Sequence, residues 1–198
     1  MEDSNNVYNK GESYMSNLPS ILETLKISVE PKNMFQQPRN PNPLPMNSIT
    51  SNVSVGNIIA GSDLERLSKN GFGGIVACVP SLPRRPESYK KHGLKVEHVS
   101  INDVPSADIM KHFDSAIAFI NSITKSEDKH KNRVLIHCHA GISRSATICC
   151  VYLCRTFGMT VSQAIEYMGK HRIIQPNIGF KKQMMEYFKM RGQKSTAK

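Results

Sequence analysis

A chain of 198 residues, 39% hydrophobic and 21% charged, is ordinary for a soluble globular protein with one domain, a sizeable core and a tail. No run approaches the roughly 20 apolar residues of a membrane span, so no membrane association is expected. The net charge of +10 favours acidic or phosphorylated partners. With no Trp and no aromatic platform among the basic residues, nucleic acid is not an expected partner.

Residues 1–48 differ from the rest. Six of the 11 prolines fall there, with many Asn and Ser, and one short apolar stretch runs from Ile21 to Ile27. Composition predicts a disordered Pro/Asn-rich extension. Its acidic and basic residues nearly balance, so the positive excess belongs to the globular part, expected over 49–191 with a flexible tail at 192–198.

A first strand or strand pair is predicted near 53–59, then a helix over 63–69 capped by Ser62 and closed by Asn70-Gly71. An apolar strand follows at 75–79, then a loop, Pro80 to Pro86, that carries Arg84 and Arg85, and another strand at 96–101. Helical spacing over 107–124 places Ile109, Phe113, Ile117, Ile120 and Ile123 on one face, with Ser106 as its cap. Thr160-Val161-Ser162-Gln163 is a capping box for a helix to about His171, and a last helix is predicted over 178–190 beyond Pro176. This order predicts an α/β protein with a central, mostly parallel sheet flanked by helices.

The stretch from Val134 to Cys154 carries the chemistry. Val134-Leu135-Ile136 reads as a strand buried on both faces, and Ala146 to Cys154 as a central helix. Between them, Cys138 and Arg144 form Cys-x5-Arg with Gly141 where the backbone needs freedom. Such a loop turns successive N–H groups inward as a nest for a tetrahedral oxyanion, reinforced by the helix N-terminus. The same dipoles, with Arg144, favour the Cys138 thiolate. Arg144 offers a planar fork to two phosphate oxygens. Cys138 is therefore a nucleophile for phosphorus, giving a cysteinyl-phosphate that water hydrolyses. Ser145 is placed to donate a hydrogen bond to the thiolate, and Ser143 to support the loop. A leaving oxygen needs a proton, for which Asp103 and Asp108 compete; Asp108 falls in a helix first turn, where the dipole stabilises a carboxylate anyway. His137 and His139 leave the strand within three residues and cannot converge on one metal, so neither a metal nor a cofactor is expected.

His137-Cys138-x-x-Gly141-x-Ser143-Arg144-Ser145, with Arg172-Ile173-Ile174-Gln175-Pro176-Asn177-Ile178-Gly179-Phe180 downstream, resembles the dual-specificity phosphatases of the cysteine-based tyrosine phosphatase superfamily, in particular the small atypical members. The resemblance covers about 49–190. It implies a protein tyrosine phosphatase-like fold and hydrolysis of phosphotyrosine and phosphoserine or phosphothreonine. It also implies Asp103 as the acid, a loop of His139, Ala140, Gly141, Ile142, Ser143 and Arg144 around the phosphate, and His137 and Asn177 as supporting residues. Loop residues 139 and 142 are not the lysines of lipid phosphatases, and Ser143 is neither the Gly of glucan phosphatases nor the Asn of RNA triphosphatases. Ala77 replaces a usual Asn, and an aromatic common near Val96 is absent. Phosphorylated proteins are the implied partners, MAP kinases among the candidates, in the cytoplasm with the nucleus as a second compartment. A phosphoprotein- or kinase-binding scaffold is one alternative, and a phosphatase of RNA or another non-protein phosphoester is the other. The five cysteines form no disulfide framework; Cys78, at a neighbouring strand end, is read as packing, with a disulfide to oxidised Cys138 as the alternative.

Overall fold

The structure, a computed structural model, describes residues 45–195. The expectations for residues 1–44, including the apolar stretch 21–27, and for 196–198 lie outside the described residues. Among the described residues, one sheet contains β1 (Met46–Ser48), β2 (Val53–Gly56), β3 (Phe72–Ala77), β4 (Lys95–His98) and β5 (Arg133–His137), ordered β1-β2-β5-β3-β4. β1 pairs antiparallel with β2, and every other neighbouring pair is parallel. This is the α/β architecture the sequence predicts, with β5, which leads into Cys138, at its centre.

Burial on both faces follows from the strand's two-residue period. Leu135 of β5 joins Ala60, Leu64, Leu67, Phe72, Ile75 and Tyr89 in one core, which packs α1 (Ile58–Ser62), α2 (Leu64–Lys69) and α3 (Pro86–Lys91) against the sheet. Val134 and Ile136 join the larger core on the other face with α4 (Phe113–Thr124), α5 (Arg144–Phe157), α6 (Val161–Gly169) and α7 (Ile178–Ser195). From Arg144 to Cys154 every residue of α5 is buried, as its all-round apolar surface requires. Gly158, at φ 69°, ends it in the left-handed conformation. The Thr160–Gln163 capping box is present at the start of α6.

Several boundaries differ from the sequence reading. β1 lies inside the stretch assigned to the extension. Pro45 precedes the strand, where it costs no ladder bond, and its carbonyl accepts the Asn57 N–H at 2.8 Å. α1 replaces the end of the expected first strand, because the Asn57 side chain accepts from the Ile59 and Ala60 N–H groups. Asp63, not Ser62, caps α2 by accepting from Arg66 N. β3 and β4 begin and end earlier than the apolar runs suggest, and α3, with Pro86 at its start, follows the expected loop where no element is predicted. The helix expected over 107–124 begins as a 3-10 turn, Met110–His112, and α4 proper starts at Phe113. Ser106 does not cap it; the Gln183 side chain accepts from Ile109 N at 2.9 Å and Met110 N at 3.0 Å. α7 runs on to Ser195, past the expected Met190 and into the expected tail. Asp114 of α4 fastens it by accepting from Tyr187 at 2.6 Å, and also pairs with Arg155 and Arg191.

Candidate active site

Cys138 leaves the carboxyl end of β5 between β2 and β3. Its N–H points to Gly56 O at 3.4 Å, and Cys78 N donates to His137 O at 2.8 Å. An open parallel sheet places ligands at this end of its strands. Residues 138–143 then turn into α5, with Gly141 at φ 72°. A Cβ on Gly141 would lie 2.5 Å from the Gly56 carbonyl oxygen and 2.7 Å from Arg172 Nη2, so both backbone angle and space demand glycine there.

Each carbonyl of this loop has a partner on the loop's outer side. Cys138 O faces His137 Nδ1 at 3.3 Å, and His139 O accepts from Ile58 N at 3.0 Å. Ala140 O and Gly141 O accept from Arg172 Nη2 and Nε at 3.1 and 2.8 Å. Ile142 O accepts from Gln175 N at 2.9 Å, and Ser143 O from Thr147 N and Oγ1 at 2.9 and 2.8 Å. In a trans peptide the N–H points opposite to the C=O, so carbonyls held outward turn the following N–H groups toward the loop centre. The nest expected from Cys-x5-Arg is thus built by residues from α1, α5 and the segment after α6.

Cys138 Sγ sits in that nest, 1% exposed. Burial alone would push its thiol up. The Ser145 hydroxyl at 3.2 Å, the N–H groups of Ser145 and Ile142, and the Gly141 N–H at 3.2 Å outweigh it and lower the pKa below the ordinary thiol value. Cys78 lies in the same core beside it, and burial holds its thiol well above the ordinary range. His137 is fully buried, and desolvation lowers it to about 4, with Arg144 acting in the same direction, so its imidazole is neutral at physiological pH. Its ring occupies the space where a side chain at position 61 would stand, which requires Gly61 in α1.

Arg144, 8% exposed, reaches Ile101 O with Nη1 at 3.3 Å, and its Nε stands 3.6 Å from Asp103 Oδ2. Asp103 Oδ1 accepts from Ser143 Oγ at 2.7 Å and Asn177 Nδ2 at 2.9 Å. Asn177 also donates from its N–H to Ser143 Oγ and accepts from Phe180 N with Oδ1, capping α7 while it supports the acidic loop. Asp108 faces a different partner, the Lys111 N–H at 3.3 Å, and lies outside this cluster. The structure therefore brings together Cys138, Arg144, Asp103, Ser143, Ser145, Asn177 and His137. His139 and Ala140 are exposed and Ile142 half-buried, so they form the rim. Arg172, Gln175, Thr147, Gly61 and the Ile58 N–H also shape the site, and sequence reading assigned none of them a part. The signal available was the 172–177 stretch, but Arg172 and Gln175 engage main-chain carbonyls of the loop, which leave no mark in the sequence.

Fold and site together define a thiolate-centred oxyanion loop at the carboxyl end of a central parallel strand. Residues 55–190 match the family "Dual specificity phosphatase, catalytic domain", and the chain belongs to that family. Among its relatives, dual specificity protein phosphatase 1-A of Xenopus laevis is 37% identical over 115 residues, 58% of this chain and 30% of the relative. The chain thus matches less than a third of that relative's length. Human DUSP28 shares the fold, with a TM-score of 0.66 and 24% identity, covering 76% of this chain and 97% of that one. The human tyrosine phosphatase-like serine/threonine/tyrosine-interacting protein aligns with a TM-score of 0.62 and 28% identity over 74% of this chain and 97% of its own.

Proposed function

We propose that this protein is a cysteine-dependent phosphatase that removes phosphate from tyrosine and from serine or threonine in phosphorylated proteins. The carrying observation is the convergence of the Ser145 hydroxyl and the loop N–H groups on Cys138 Sγ, with Arg144 and Asp103 at the same mouth. The Cys138 thiolate attacks phosphorus opposite the leaving oxygen, and a sulfur–phosphorus bond forms as the ester bond breaks. Asp103, protonated, passes its proton to the leaving oxygen, so even a serine alkoxide departs as an alcohol. The N–H groups and Arg144 hold the equatorial oxygens as charge redistributes. Water, deprotonated by Asp103, then hydrolyses the cysteinyl-phosphate and releases phosphate. His137, neutral and buried, holds the Cys138 carbonyl.

Ser145 stabilises the thiolate both as nucleophile and as leaving group. Ser145→Ala removes one hydrogen bond to a charged atom, worth about 1.5–3 kcal/mol, and is expected to raise the Cys138 pKa by about one to two units. Alkylation of Cys138 by iodoacetamide against pH reads that shift. The intermediate should also accumulate, seen as a burst of aryl alcohol before steady turnover.

Phosphoproteins, with MAP kinases as a candidate set, fit a basic chain whose rim residues His139 and Ile142 are not lysines; the cytoplasm, with the nucleus as a second site, is the proposed location. The deciding experiment compares phosphotyrosyl and phosphothreonyl peptides, phosphoinositides and RNA 5′-triphosphate under one set of conditions. Turnover of both peptide classes above the other two supports the reading. Preferential release from RNA or lipid overturns the substrate class while leaving the chemistry in place.

A further inference from the structure

Arg172 lies outside every element, between α6 and α7, yet it is 4% exposed. Its guanidinium donates from Nε to Gly141 O at 2.8 Å, from Nη2 to Ala140 O at 3.1 Å and from Nη1 to Asn47 Oδ1 at 2.8 Å. The first two acceptors are not interchangeable with other surface carbonyls. Ala140 C=O and the Gly141 N–H belong to one peptide plane, and Gly141 C=O and the Ile142 N–H to the next. Gly141 and Ile142 supply two of the N–H groups bonded to Cys138 Sγ. Two peptide planes, which a flexible glycine would otherwise leave free to rotate, are therefore pinned from behind by one rigid fork.

We propose that Arg172 is a positioning residue for the phosphate-binding loop: it fixes the 140–141 and 141–142 peptide planes so that their N–H groups face the nucleophile and the phosphoryl oxygens, and Asn47 of β1 fixes Arg172 in turn. The inference rests on the reading of Cys138 as nucleophile, but concerns a residue that touches neither thiol nor substrate. Loss of the fork lets either plane flip, and a flipped plane presents a carbonyl oxygen to an anion. An ammonium on a longer, flexible stem cannot hold two carbonyls and an amide in one plane, so lysine is not equivalent. The Cys138 thiolate and the Arg172 guanidinium also interact favourably across the loop, against the burial that lowers the arginine's pKa.

The test uses the full chain with Arg172→Lys, Arg172→Met and Asn47→Ala. Orthovanadate, which adopts the trigonal geometry of the transferring phosphoryl group, is the probe for the loop. Both Arg172 variants are expected to bind vanadate and turn over an aryl phosphate about 10–100-fold less well, with the loss in kcat rather than KM, as for a misplaced oxyanion donor. The iodoacetamide-reactive pKa of Cys138 should rise by about one unit with the loss of one aligned N–H bond. Asn47→Ala should move all three readouts in the same direction by about threefold or less, since it frees only the far end of the fork. Arg172 variants that melt within a few degrees of wild type yet keep vanadate affinity and thiol pKa overturn the proposal. Should they fail to fold, an Asn47→Ala protein indistinguishable from wild type overturns it instead. Wild type without phosphatase activity would refute the proposed function, while the thiol pKa would still judge Arg172.

Discussion

Cys138→Ser is expected to lower hydrolysis of an aryl phosphate by ~10⁴-fold or more while the protein stays folded and keeps binding phosphate analogues. Serine fits the space of the nearly inaccessible thiol, and its neighbours need little adjustment. The nest is main chain, so the carbonyl partners that orient it remain. What disappears is the anion. Four hydrogen bonds, working against burial, act on a thiol whose ordinary pKa is within their reach, whereas an alcohol's lies far above it. The measurement is steady-state turnover of both proteins beside vanadate inhibition of wild type and phosphate binding to the variant. Wild-type turnover no faster than that of Cys138→Ser would make the loop a phosphate-binding site without chemistry, and the scaffold reading would replace the enzyme.

Asp103→Asn is expected to cost about 10²–10⁴-fold in kcat for a phosphopeptide, the usual contribution of a general acid. The amide preserves an oxygen for the Ser143 and Asn177 donors but has no proton to give. Wild type should show a bell. Its acidic limb is assigned to Cys138, whose hydrogen bonds lower its pKa, and its basic limb to the general acid that protonates the leaving oxygen. The variant should keep the first limb and lose the second. Its deficit should shrink for aryl esters whose phenolate leaves unaided. An unchanged basic limb in Asp103→Asn would assign the acid elsewhere, Asp108 being the first residue to test.

The candidate site of this chain is legible in its sequence because Cys138, Gly141, Arg144 and Ser145 are close together and of types that each have few uses. The central strand is equally plain, since Val134-Leu135-Ile136 leaves no polar position. What escaped were features whose cause is distant or conformational. β1 hides among prolines because an edge strand of three residues has no period to detect. α1 has five residues and depends on Asn57, which reads equally well as a turn. Gln183, 74 residues from Ile109, sets where the helical turn before α4 begins, so local caps misplace it. Arg172 appeared within a recognisable stretch, but two of its acceptors are peptide carbonyls 31 and 32 residues away, which no side-chain pattern announces.

The loop that carries Asp103 is bolted to α7 at successive points. Asn177 holds the carboxylate, the Gln183 side chain takes Ile109 N, Met110 N and Ala107 O, and Gly179 is so close to Pro105 that a Cβ there would collide with its carbonyl. The Asp114 cluster ties α7 in turn to α4 and α5. The 103–110 segment and α7 therefore form one mechanical unit, and a shift of the helix is carried to the Asp103 carboxylate.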